Sequence, residues 1–396
     1  MRALCMPVAV AVLVAGVAGC GKGAATVESG PPVARDFFGM NTQLVEQAAQ
    51  AQKLDYADNQ VGQIAKTGVG FVRSAFDWNA VEPNPPTAGG HTYDFSGLDG
   101  WVATLARHRL RWLVTVKGGP IPDWAASRSA PSECGTNAPP QGTAAYAALM
   151  DALARRYGRD GSFWKAHPEL PYEPITDYEV WNEPNFGHLW CPEPDPAAYA
   201  KLYLAARDAV HGVDPRAIAL VGGLASFMTD EAGPPAKMSV DTFLSRAMDS
   251  EPNLRRDIDA VAVHPYGANP DDVLVTLQRL RAVLDSNDLS GTPMLADEVG
   301  WHTMGPLGLP PVPEDRRAEY FRTVTPAITR SDCNVIGLAA HTWVTAEQRA
   351  NYSEDWYGMA DPLTGKPYPS ATAYTNQVKA LEAGDPVSAS EPACGG

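Results

Sequence analysis

A short apolar run followed by a segment of helical period recurs eight times along this chain, and few folds accommodate that pattern. The strand candidates are Phe37–Asn41, Gly70–Phe76, Arg111–Val116, Thr176–Trp181, Ile218–Val221, Ile258–Val263, Met294–Glu298 and Val335–Ala340. Strands that alternate with helices imply a parallel sheet, because parallel neighbours need a crossover, and eight such units suffice to close a barrel. The expected fold class is α/β, a (β/α)8 TIM barrel filling residues 35–396 with a C-terminal tail. An open doubly wound sheet should carry a glycine-rich phosphate turn after its first strand; Gly39-Met40-Asn41-Thr42-Gln43 lacks that spacing.

Local signals place the helices. Ser96 is read as the cap of a helix with the stripe Leu98, Trp101, Val102, Leu105 and Ala106. Tyr146, Leu149, Met150, Leu153 and Tyr157 form a second stripe, with Gly158 read as its left-handed stop. Asp195 before Pro196 is an N-cap followed by proline at the first helical position, ahead of Tyr199, Leu202, Tyr203 and Ala206. Further stripes run through Val273, Leu274, Leu277, Leu280 and Leu284, and through Tyr320, Phe321, Val324 and Ile328.

The N-terminus has the marks of export. Met1-Arg2 precedes an apolar run from Ala3 to Gly19, too short for a membrane span and suited to a signal peptide over residues 1–19. Val17-Ala18-Gly19-Cys20 resembles the bacterial lipobox, which implies that Cys20 is lipidated and that residues 20–34 tether the domain. The expected location is the outer face of a bacterial cytoplasmic membrane, or secretion. Setting aside Cys5 and Cys20 leaves Cys134, Cys191, Cys333 and Cys394, without metal-ligand spacing, as disulfide candidates with three possible pairings. A formal charge of -15 disfavours nucleic acid and anionic membrane surfaces as partners.

Two glutamates end strand candidates: Glu183 in Trp181-Asn182-Glu183-Pro184-Asn185 and Glu298 in Ala296-Asp297-Glu298-Val299-Gly300-Trp301. Chemistry on a barrel belongs at the C-terminal ends of strands. Cleaving a glycosidic bond needs one carboxyl to protonate the leaving oxygen and another on the opposite face of the sugar. Asp297 is a rival to Glu298, but adjacent strand residues point to opposite faces, so one alone is expected at the barrel mouth.

On these motifs the chain resembles the clan A glycoside hydrolases, most of all family 39, with the cellulase-like family 5 as neighbour, over roughly residues 35–382. The resemblance implies that Glu183, after strand four, is the acid/base and Glu298, after strand seven, the nucleophile. It implies that Arg73 and the Tyr266 of His264-Pro265-Tyr266 hold the nucleophile, that His264 lines the sugar site, and that Asn182 binds the sugar 2-hydroxyl. Trp343, after strand eight, corresponds to the clan's platform under the reacting sugar. One departure is Lys117 in Val116-Lys117-Gly118-Gly119, where many clan members carry a strand-three histidine. Seven tryptophans, including Trp124 and Trp301, fall at strand ends or in the loops beyond, which suits sugar binding.

In such a barrel Cys134 and Cys191 lie in neighbouring loops on the catalytic face, whereas Cys333 precedes strand eight and Cys394 follows the last helix. This topology favours Cys134–Cys191 and Cys333–Cys394. No HxH pair supports a metal-dependent hydrolase, and no cofactor is expected. The expected function is a retaining glycoside hydrolase, monomeric, endo-acting on an extracellular or cell-envelope polysaccharide. The alternative from another class is a lipid-anchored carbohydrate-binding barrel without catalysis.

Overall fold

The computed structural model describes residues 26–28, 30–116, 121–306, 308–389 and 394. The signal segment, Cys20 and Lys117 lie outside the described residues. Eight parallel strands close a barrel in sequence order: β1 (Phe38–Asn41), β2 (Phe71–Ala75), β3 (Arg111–Val116), β4 (Asp177–Val180), β5 (Ile218–Ala225), β6 (Ala260–His264), β7 (Met294–Val299) and β8 (Val335–Ala340). Closure runs through β1 and β8, where Phe38 pairs with Leu338 and Met40 with Ala340. Phe71, Leu113, Leu220, Leu295 and small residues such as Ala260 and Ala262 fill the inner core. A larger core lies between the barrel and its helices.

The apolar stripes face that outer core. Leu98, Trp101, Leu105, Tyr146, Leu149, Leu153, Tyr203, Leu277 and Val324 are all 1% exposed or less. The cap at Asp195 also forms, its carboxylate accepting from the Ala198 amide at 3.0 Å. Two helix ends differ from expectation. Ser96 is the first helical residue rather than the cap, and its amide donates to Asp94 at 2.9 Å. Gly158 is extended, not left-handed (φ -68°, ψ -174°), and a Cβ there would lie 2.5 Å from the Ala154 carbonyl oxygen. Close approach, rather than handedness, requires that glycine.

The expected tether is partly docked. Thr26–Glu28 pairs antiparallel with Val387–Ala389. The Val33 amide donates to Leu381 O at 3.0 Å, and Arg330 donates to Pro31 O at 2.9 Å. These bonds hold residues 26–28 against the segment after the last helix, Pro369–Ala383, and residues 31 and 33 against the ends of the last two helices. Cys134–Cys191 joins the loops after β3 and β4, and Cys333–Cys394 ties the approach to β8 to the C-terminal segment, with Cα separations of 5.5 and 4.9 Å.

Candidate active site

The site is assembled at the C-terminal ends of the strands around one buried cation. A buried guanidinium needs partners for its five N–H hydrogens, and Arg73 of β2 has them. Its Nε donates to Glu179 Oε2 at 2.6 Å, and Nη1 donates to Glu298 Oε1 at 2.6 Å and Asn41 Oδ1 at 3.0 Å. Nη2 donates to Glu179 Oε1 and Asn182 Oδ1, both at 2.7 Å. Glu179, which is fully buried, also accepts from Thr115 Oγ1 at 2.5 Å and the Gly223 amide at 2.8 Å. Strands β1 to β5 and β7 thus meet in a single hydrogen-bonded floor.

Glu298 rises from that floor. Its Oε2 accepts from the Tyr266 hydroxyl at 2.8 Å, and His264 Nδ1 and His341 Nδ1 each lie 3.6 Å from the same oxygen. Burial opposes ionisation of this carboxyl, but His264, His341, Arg73 and the Tyr266 hydrogen bond together hold it well below the usual carboxylate range. Glu183 stands on the other side of His264, whose Nδ1 is 2.8 Å from Glu183 Oε1. Burial alone would lower the His264 imidazole, but Glu298, Asp297 and the bond to Glu183 outweigh it and push the ring up to about 9.

The chain turns sharply to present Glu183. Trp181 and Glu183 both adopt left-handed backbone conformations, with φ of 71° and 45°. Strain of this kind is retained where surrounding structure over-determines it, and here Gly222 and Gly223 of β5 do so. A Cβ on Gly222 would lie 2.3 Å from Trp181 O, and one on Gly223 would lie 2.1 Å from His264 Nε2. The Gly223 carbonyl also accepts from the Glu183 amide at 3.1 Å. Asn185, fully buried, completes the turn by bonding Ala225 through both its amide nitrogen and its carbonyl oxygen, at 2.8 and 3.0 Å.

Sequence reasoning stopped the fifth strand at Val221, before this glycine pair. The strand continues to Ala225 with a register shift between Val221 and Leu224. The alternation argument at Asp297 and Glu298 also needs correction. A register shift between Ala296 and Val299 breaks the alternation, and both carboxyls face Arg73, at 2.8 and 2.6 Å. Depth separates them: the Asp297 side chain is 0% exposed and that of Glu298 13%. Burial, opposed by Arg73 and reinforced by Glu179, pushes Asp297 up to about 8.

Glu179, His264 and Asp297 bring ligand atoms within 4.8 Å of one another, a spacing that a metal ion could bridge. Both Glu179 oxygens are already engaged by Arg73, so a guanidinium occupies the place of a cation.

A cavity of about 470 Å³ opens above Glu298. Asn41, Arg73, Asn182 and His341 form its inner wall; Gln43 and Gln47 after β1, and Thr345, Arg349 and Tyr352 after β8, form its rim. No tryptophan lines it. Trp343, expected as a platform, is 0% exposed and donates its indole N–H to Gln60 at 2.8 Å. Trp301 is 2% exposed and donates to Gly267 O at 2.8 Å. Trp124 is half-buried, donates to Glu82 O at 3.2 Å and packs edge-on against Trp78. Their indole N–H groups find partners in the protein, Trp343 on the Leu54–Ala65 helix and the other two on loop carbonyls, so these rings anchor their segments rather than line the cavity. The ring presented beyond β8 is His341, which sequence reasoning missed; its place directly after Leu338-Ala339-Ala340 was the available signal.

No family model matches the chain, and no curated protein matches it. Solved structures do. A glucosidase from Croceicoccus marinus superposes with a TM-score of 0.57 at 18% identity, over 83% of this chain and 63% of that one. The GH39 enzyme from Xanthomonas axonopodis pv. citri gives 0.61 at 20% identity, over 88% and 67%. GH5_18 from Streptomyces cattleya, in complex with GlcNAc, gives 0.62 at 16% identity, over 92% and 83%. The chain therefore spans about two thirds of the length of the first two. The eight-stranded barrel is the fold this chain shares with these solved GH39 and GH5_18 structures.

Proposed function

We propose that this protein is a retaining glycoside hydrolase with Glu298 as nucleophile and Glu183 as acid/base. The observation that carries the reading is one shared nitrogen: His264 Nδ1 lies 2.8 Å from a Glu183 oxygen and 3.6 Å from a Glu298 oxygen. Laid end to end, those distances cap the gap between the two oxygens below the ~6.5–9.5 Å carboxyl separation that leaves room for an attacking water, which favours direct attack by a carboxylate.

In the first step Glu298, kept ionised by Arg73 and Tyr266, attacks the anomeric carbon while Glu183 protonates the leaving oxygen. In the second, Glu183 takes a proton from water, which displaces Glu298 and restores both carboxyls. Asn182, its Oδ1 held by Arg73, offers its amide N–H groups to the sugar 2-hydroxyl. Glycosidases among the structural neighbours support the same class of substrate.

The signal-like N-terminus and Cys20 support a lipid-anchored protein outside a bacterial cytoplasmic membrane, acting on an extracellular or cell-envelope polysaccharide held beside it. Screening nitrophenyl glycosides tests the catalytic reading: the wild type should turn over at least one, and Glu298→Gln should abolish that turnover. Undiminished turnover by the variant refutes the nucleophile. Sugar binding without turnover by the wild type would make this the anchored carbohydrate-binding barrel instead.

A further inference from the structure

Asp297 has no place in the double displacement, yet it is held in the deepest part of the site. Its Oδ2 is ion-paired with Arg73 at 2.8 Å, but its Oδ1 is buried without a hydrogen bond, as is His264 Nε2, and these two atoms lie 3.5 Å apart. Buried polar atoms left unpaired are costly, so two facing one another invite a shared proton. The other nitrogen of the same ring is bonded to Glu183 at 2.8 Å. A path thus runs from a sealed carboxyl, through an imidazole, to the Glu183 carboxyl, whose side chain is 17% exposed.

We propose that Asp297, His264 and Glu183 form a proton-sharing chain in which Asp297, as a positioning residue, sets which ring nitrogen carries hydrogen and hence whether Glu183 is an acid or a base. The inference deepens the acid/base reading of Glu183 and rests on it. Two protons serve the three groups. With Asp297 ionised and Nε2 protonated, Nδ1 is bare and accepts from a protonated Glu183, the form that can protonate a leaving oxygen. With the hydrogen on Nδ1 instead, Glu183 faces a donor and rests as a carboxylate, without the proton that the first step needs. Giving the Glu183 proton to the leaving oxygen leaves the Nε2 hydrogen in place and a Glu183 carboxylate, the form that can deprotonate water. The proton given to the leaving oxygen returns from water in the second step.

The surroundings favour such sharing. Arg73 from β2 faces Asp297 Oδ2 at 2.8 Å, Glu179 faces it from β4, His264 from β6, and Glu298 follows it on β7, where His341 beyond β8 also approaches. Three carboxylates against one guanidinium leave the cluster short of positive charge. That deficit favours keeping a proton on Asp297 or His264 near neutrality.

The test is Asp297→Asn, which keeps the shape and removes both the charge and the proton. On a glycoside with a poor leaving group, the alkaline limb of kcat/KM should move down by about one pH unit, because a negative charge that retains the proton is gone. On a dinitrophenyl glycoside, which needs no acid, the limb should barely move. A folded variant whose alkaline limb is unmoved on both substrates overturns the chain. If the variant does not fold, nitrogen and carbon NMR of the wild type reads the same coupling: His264 Nε2 and the Asp297 carboxyl carbon should shift in one transition, and separate transitions overturn it. Glu183→Ala, measured in parallel, separates the two levels. An equal loss on both substrates removes the acid/base reading itself; a loss confined to the poor leaving group, with Asp297→Asn inert, removes the chain alone.

Discussion

Gly223→Ala adds one methyl group at a residue that packs against His264, the partner of the proposed acid/base Glu183. The new Cβ would sit 2.1 Å from His264 Nε2 and 2.8 and 2.9 Å from the adjoining ring carbons. Non-bonded carbons do not approach closer than about 3 Å, so the ring must retreat by about 1 Å. His264 is 0% exposed, and its 2.8 Å bond to Glu183 is the contact such a retreat breaks first. Overpacking of this kind costs about 1–3 kcal/mol of stability, which a barrel of this size should survive. A 1 Å misplacement at a catalytic group costs up to about a hundredfold in rate. The expected result is a fall of about a hundredfold in kcat/KM on a glycoside with a poor leaving group, against less than about tenfold on a dinitrophenyl glycoside, where acid assistance matters little. The assay is initial-rate kinetics on the two substrates, with circular dichroism to verify folding. A folded variant that slows both substrates equally, or neither, refutes the claim that His264 acts through Glu183.

Stability should fall on the alkaline side. Asp297 and His264 are both raised in the folded state, from 3.8 to about 8 and from 6.5 to about 9, so the fold binds their protons more tightly than the unfolded chain does. Stability is full below the unfolded values and is lost as pH rises through the folded ones, by up to about 1.4 kcal/mol per proton per pH unit in that window. The melting temperature should therefore drop between about pH 4 and pH 9 in the wild type and drop less in Asp297→Asn; equal slopes would contradict this. For the anchor, Cys20→Ser should move the protein from the membrane fraction to the soluble fraction or leave it unprocessed, read by fractionation and mass spectrometry. A wild type that is soluble without detergent after expression with its own N-terminus would sink the anchor.

The barrel was legible because its signal is long-range and periodic. Apolar runs set the strands, and stripes such as Tyr146-Leu149-Met150-Leu153 could face only a sheet. Glu183 and Glu298 were legible because a strand end is a position that sequence can mark. Exposure was not. Tryptophans in loops look alike whether they meet a ligand or a protein acceptor, and Trp343 donates to Gln60 on the Leu54–Ala65 helix while Trp301 donates to the Gly267 carbonyl beyond β6. Two segments defeated strand logic for a shared reason. Val221-Gly222-Gly223 and Ala296-Asp297-Glu298 both sit at register shifts, where alternation fails and contacts made across the barrel decide direction. His341 escaped notice because a lone histidine after an apolar strand carries no spacing of its own.

The five engaged hydrogens of Arg73 separate what can vary in this protein from what cannot. Every strand end that supplies an atom to the floor is tied to the others, so a change there alters the barrel and its chemistry together. The rim obeys a different constraint. Gln43, Gln47, Thr345, Arg349 and Tyr352 belong to segments after β1 and β8, and the second of these is braced from below by Arg317, which donates to Tyr357 O and Gly358 O at 3.1 and 2.6 Å. A lineage or a designer can therefore recut the cavity wall for another ligand while the floor keeps its wiring, and an exchange of the loop after β8 should preserve its fit as long as the backbone carbonyls that meet Arg317 are kept.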